Sequence, residues 1–145
     1  MENPKTLPDI ESIDFSCDLQ IRYSDIDGYN HVNNGIFFSY FEHARALFLH
    51  EVCHWKIMEV GTVVGKITLD YLRPILLTDK IKCYVECSRI GTSSFDLDQY
   101  IIGVTEKGEK YSYAISRTVM VSVDMKTMRP IPIPEIYRVK LEKGQ

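Results

Sequence analysis

Residues 23–34 read Tyr-Ser-Asp-Ile-Asp-Gly-Tyr-Asn-His-Val-Asn-Asn, so two carboxylates, an imidazole and several carboxamides crowd into one short stretch. Such groups carry general acid–base or nucleophilic chemistry when a fold gathers them at one reacting atom. Helical periodicity begins directly after them, which puts the cluster at a helix entrance. The first N–H groups of a helix have no internal partner and the helix dipole favours negative charge there, so an oxyanion would be stabilised at that spot. Asp25 and Asp27 could equally cap the helix and bond loop amides, and for Asp25 this structural role is the expectation. His31 reads either as a residue that hydrogen-bonds the loop or as one that orients a carboxylate. Asn33 and Asn34 have capping roles open to them. A site role is assigned to Asn33, because a cap does not usually require two asparagines and a histidine together.

Metal chemistry fits these residues poorly. A calcium loop counted from Asp25 needs Gly at its sixth position and Glu at its twelfth, where the chain has Asn30 and Ile36. His50, Cys53 and His54 share a helix face but lack an evident fourth zinc ligand, so ordinary packing is the preferred reading. No metal or other cofactor is expected.

The elements that must position the cluster follow from periodicity. Phe15, Cys17, Leu19, Ile21 and Tyr23 alternate with polar residues, as in a half-buried strand. After the polar stretch 24–34, the residues Phe37, Tyr40, Phe41, Ala44, Leu47, Phe48 and Val52 form one helical stripe. No Gly or Pro interrupts 36–55, which predicts one helix of about five turns. Alternation over 63–71, 81–90, 95–104 and 111–123 predicts four more strands, with hairpin turns at 91–92 and 106–109. Three prolines between Met128 and Pro134 predict an extended surface tail. The expected fold class is α+β, an antiparallel five-stranded sheet wrapped on one long helix, with residues 1–14 and 128–145 as peripheral tails.

At 145 residues and 45% hydrophobic, the chain suits a single domain spanning 1–145. A net charge of −3 gives no broad basic surface, so nucleic acid is not an expected partner. Residues 1–8 carry Glu2 and Lys5 and no apolar run, so neither a membrane nor secretion is expected, and a cytoplasmic location follows by default. The four cysteines have no CxxC spacing, and Cys83 and Cys87 on one strand face would stand roughly 13 Å apart, too far for a disulfide. One helix covers only one face of the sheet, so self-association as a homodimer or homotetramer is expected.

Arg22, Tyr23, Asp25, Asp27, His31, Val32, Asn33 and Asn34, followed on the helix by Tyr40, Phe41, Glu42 and Arg45, form a pattern that two later segments extend: Asp70-Tyr71-Leu72-Arg73-Pro74 and Arg89-Ile90-Gly91-Thr92-Ser93-Ser94-Phe95. This pattern resembles the hot-dog thioesterases, specifically the 4-hydroxybenzoyl-CoA thioesterase family and the related plant acyl-carrier-protein thioesterases. The resemblance implies a hot-dog fold and hydrolysis of acyl-CoA, or of an acyl carrier protein thioester, to a free carboxylic acid. It implies that Asp27 is the catalytic carboxylate, as nucleophile or general base, and that the backbone N–H near Asn34 polarises the thioester carbonyl. His31 then gains the further option of orienting the leaving thiolate. Asn30 departs from the pattern, since many relatives have Gly before His31, but Asn tolerates left-handed angles too.

Glu42 lies about 140° round the helix from Phe37, off the apolar stripe. A solvated Glu beside Arg45 is its ordinary role; in an oligomer of this fold that face can border the substrate tunnel, which makes Glu42 the second candidate carboxylate. Arg73, Arg89, Ser93 and Ser94 are candidate contacts for CoA phosphate or pantetheine, with strand-end charges and a strand start as the alternatives. Two other activities share the fold: a non-catalytic thioester-binding module, and a dehydratase or hydratase, against which the lack of a His-Phe-Pro motif at the helix entrance counts.

Overall fold

Strand alternation translates into five antiparallel strands: β1 (Phe15–Leu19), β2 (Val60–Tyr71), β3 (Ile81–Ile90), β4 (Ser94–Val104) and β5 (Lys110–Asp124), with helix α1 (Ile36–Glu51) between β1 and β2 and α2 (Glu135–Lys143) after β5. The structure is a computed structural model and describes residues 8–104 and 107–143. The sheet order is β1-β3-β4-β5-β2, so β3, β4 and β5 form a meander and β2 crosses over to an edge. The turn expected at 106–109 lies partly outside the described residues; within it Gly108 takes a positive φ of 85°.

Helix α1 lies mainly across β3 and β1. Most of its stripe is buried, with Phe41 and Ala44 at 0% exposure, in one core cluster with Phe95, Leu97 and Ile101 of β4, while Leu47 and Val52 are half-buried. This is the α+β hot-dog arrangement that the periodicity and the resemblance lead one to expect. On the opposite sheet face Ile10 and Ile13 cover Ile102, flanked by Tyr84 and Tyr100. Residues 1–7 of the expected N-terminal tail lie outside the described residues, but the part that is described is anchored rather than peripheral.

Three expectations need correction. β1 stops at Leu19, and Tyr23, expected to point inward on that strand, is 83% exposed in a 3-10 turn. The Asp25 carboxylate accepts the Arg22 N–H at 3.0 Å and curls the chain before it can continue extended. Helix α1 ends at Glu51 rather than Trp55, because His54 takes a left-handed φ of 52° and the Trp55 N–H turns back to the Leu49 carbonyl. Finally, the segment after Met128 is no extended surface tail. The prolines do hold 130–134 extended, yet α2 follows them and buries Tyr137 and Leu141 at 4% and 0% exposure. The signal was there: Ile133, Tyr137 and Leu141 recur every fourth residue.

All four thiols are free; Cys53, Cys83 and Cys87 are buried and Cys17 is half-buried. Burial pushes Cys53 up to about 12 and Cys87 up to about 11, and it raises Cys83 as well, so these thiols stay protonated near neutral pH. With Ellman's reagent at mildly alkaline pH, we expect fast reaction at no more than the Cys17 thiol in the native protein, and at every thiol after denaturation. Rapid native labelling of Cys53 or Cys87 would contradict this burial.

Candidate active site

The loop between β1 and α1 is built on its own hydrogen bonds. The Asp27 N–H donates to the His31 carbonyl at 2.8 Å, and the Asn33 N–H donates to the Asp25 carbonyl at 2.8 Å. Asn30 turns the chain at φ 62°, the left-handed conformation that a glycine would otherwise supply. Asp27 Oδ1 accepts the Tyr29 N–H at 2.8 Å and the His31 N–H at 3.4 Å, whereas Oδ2 accepts no hydrogen bond among the described residues. One carboxylate oxygen therefore anchors the loop and leaves the other for a ligand.

At the helix entrance, Asn33 Oδ1 accepts the Gly35 N–H at 2.8 Å and the Asn33 carbonyl accepts the Ile36 N–H. The Asn33 side-chain oxygen thus closes a turn just ahead of the helix, whose own N-cap Gly35 has no side-chain cap. The Asn34 N–H donates to no protein acceptor among the described residues. Asp27, His31, Asn34 and Arg73 line one cleft of about 480 Å³, together with Tyr29, Phe37 and Tyr71. Tyr71 closes it by donating its hydroxyl to the Asn34 carbonyl at 2.8 Å, and Phe37 packs edge-on to the Tyr71 ring. Arg73 stacks its guanidinium 4.0 Å from the centre of the Tyr111 ring, which holds a cation at the cleft wall.

Residues 21–141 match the thioesterase-like superfamily. The chain belongs to that superfamily. This thioester hydrolase is 27% identical over 128 residues to the long-chain acyl-CoA thioesterase FadM of Escherichia coli K12, covering 86% of the present chain and 95% of FadM. It is 30% identical over 99 residues to the uncharacterized protein YsmA of Bacillus subtilis 168, covering 68% of this chain and 66% of YsmA, just under two thirds of that relative. Among solved structures, a Thermus thermophilus thioesterase complexed with coenzyme A and Zn superposes with a TM-score of 0.77 at 31% identity, over 92% of this chain and 95% of that one.

Not every candidate residue of the thioesterase joins Asp27. Glu42 is exposed and lines a second cavity of about 340 Å³ with Arg45, Leu49, Trp55 and Val64. Arg89 binds Asp96 at 2.9 Å and Ser94 Oγ at 2.9 Å, and the Ser93 carbonyl accepts the Ser122 N–H. These three sit at the β3–β4 turn, outside the Asp27 cleft. His50 and His54 are exposed while Cys53 is buried at 1%, and no group of three or more metal-ligating side chains occurs among the described residues.

Asp25 has the structural role expected of it. Its Oδ2 accepts the Tyr40 hydroxyl at 2.6 Å as well as the Arg22 N–H. Burial first, and the Asp25 carboxylate beside it, push the Tyr40 phenol well above its ordinary pKa, so it stays a donor. Replacing Asp25 with Ala strands both donors, with Tyr40 only 7% exposed, and should cost about 2–3 kcal/mol of stability. Chemical denaturation checks this; a loss under about 0.5 kcal/mol, the range of ordinary surface changes, would rule the network out as a structural anchor. Sequence reasoning missed Tyr71 as a cleft residue, although the Asp70–Pro74 segment carries it.

Proposed function

We propose that the protein hydrolyses acyl-CoA thioesters to free acid and CoA at the entrance of α1. Asp27 attacks the carbonyl carbon or takes a proton from the attacking water, and the Asn34 N–H polarises the carbonyl oxygen. The observation that carries this reading is that an Asp27 oxygen and an Asn34 amide, each without a hydrogen-bond partner among the described residues, belong to residues lining one cleft. His31 takes part through its backbone, which donates to Asp27 Oδ1 and accepts the Asp27 N–H. Arg73 lies on the same wall and suits a CoA phosphate. A CoA complex of the Thermus relative and the acyl-CoA activity of FadM support CoA as the carrier.

The working form in this proposal is a homo-oligomer. β2 is an edge strand of 12 residues beside the cleft, and a long edge with unpaired N–H and C=O groups invites a second copy. Light scattering should give at least twice the monomer mass. For the activity, a thiol-release screen over short, long and aromatic acyl-CoAs should yield free CoA from at least one class. Tight binding without thiol release would favour a non-catalytic module, and loss of a crotonyl double bond with the thioester intact would favour a hydratase.

A further inference from the structure

Arg45 is 5% exposed in the middle of α1, and its hydrogen bonds go to neutral partners. Its Nη1 donates to Gln99 Oε1 at 3.3 Å and to Thr118 Oγ1 at 3.4 Å, and Gln99 spends its own amide on the Phe41 carbonyl at 2.9 Å. No carboxylate ion-pairs with Arg45 among the described residues; Glu42, whose charge acts on it, is exposed. Nε and Nη2 have no hydrogen-bond partner among the described residues. Across the strand from Gln99, the buried Ser116 hydroxyl is also without one. A largely buried cation with no carboxylate in direct contact is only partly compensated, and a ligand that brings an anion to it completes the pair.

Arg45 faces such a space. The second cavity is walled by the apolar residues Ala46, Leu49, Trp55, Ile57, Val64 and Met120, with exposed Glu42 and His50 completing it. This cavity takes its walls from α1 between Glu42 and His50 and from Thr62 and Val64 of β2, and the Asp27 cleft takes Phe37 at the start of α1 and Tyr71 at the end of β2, so the two are separate spaces bordered by the same two elements. From Asn34 to Arg45 is about 16 Å along the helix axis at its regular rise. The Arg45 side chain leans back toward the N-terminus, which shortens the span to that of a medium-length acyl chain.

We propose that Arg45 receives the terminal carboxylate of a medium-length ω-carboxyacyl thioester, so that attack of water on the thioester releases a dicarboxylic acid and free CoA. This rests on the acyl-CoA reading above. Suberyl-CoA and octanoyl-CoA, matched in length, separate the two ideas. The wild-type enzyme should prefer suberyl-CoA in kcat/KM by at least about tenfold, the worth of one charge-assisted hydrogen bond. Arg45→Gln should abolish that preference and Arg45→Lys should retain part of it. An equal or reversed preference in the wild-type enzyme overturns the assignment while leaving the hydrolase intact, whether or not the variants fold. If neither thioester is cleaved, the fate of the hydrolase reading passes to the wider acyl-CoA screen. Calorimetry of the wild-type protein with free suberate against octanoate then decides: tighter suberate binding sustains the role of Arg45, and no difference removes it.

Discussion

Replacing Asp27 with Asn should lower kcat/KM for the best acyl-CoA substrate by about 10²–10⁴-fold, the range for loss of a positioned proton-transfer group. The substitution removes the charge and keeps the shape. The amide oxygen of Asn can still accept the Tyr29 and His31 N–H groups that Oδ1 accepts now, so the loop should keep its form. Melting should therefore move by less than about 1 kcal/mol in stability terms, while turnover collapses. Thiol-release kinetics beside a thermal melt separate the two effects. An Asp27→Asn enzyme as fast as wild type would mean that another carboxylate performs the reaction, and Glu42→Gln is the variant to measure next. Single turnover in oxygen-18 water tests the nucleophilic route: label entering the Asp27 side chain marks a nucleophile, because a general base never exchanges its carboxylate oxygens with the attacking water.

The second large effect is structural. Trp55 is held between Phe95, with ring centres 5.5 Å apart, and Tyr137, stacked at 4.3 Å and 15°. Its indole N–H donates to the Val60 carbonyl at 2.9 Å, and the Tyr137 hydroxyl accepts the Lys56 N–H at 3.1 Å. α2 thereby ties down the connection from α1 to β2, including the wall that Trp55 contributes to the second cavity. Tyr137→Ala leaves a ring-sized void and an unpaired amide, and should cost about 3–5 kcal/mol. At about 2–4 °C per kcal/mol for a chain approaching this size, the melting temperature should fall by about 10 °C. Ile136→Ala, one residue away but 66% exposed, should stay within about 0.5 kcal/mol. Equal losses from the two variants would mean that α2 docks nowhere in particular.

The elements that were legible in advance share a physical feature: their pattern is repeated often enough to outvote local exceptions. β3 runs over 81–90 as alternation predicts, and β4 and β5 begin and end within one residue of expectation. Where a single hydrogen bond or one left-handed residue decides, periodicity misleads, as at Tyr23 and at the end of α1. α2 was obscured because three prolines dominate the reading of the segment just before it. Within the site, the Asp27 loop could be placed at a helix entrance from order alone, but the separation of Arg89, Ser93 and Ser94 from it could not. Both groups stand beside turns, and only the strand order puts those turns in different places.

What the chain order alone determined is the gathering of carboxylates, an imidazole and amides at one helix entrance and the alternation that makes a sheet, because both depend on residues close together along the backbone. Tertiary structure decided which side chains share a cleft: Tyr71 and Arg73 with Asp27, Arg45 with Trp55 and Val64, Tyr137 against Trp55. These meetings join residues dozens of positions apart. They depend on the crossover of β2 to the sheet edge and on the packing of α2, neither of which local periodicity encodes.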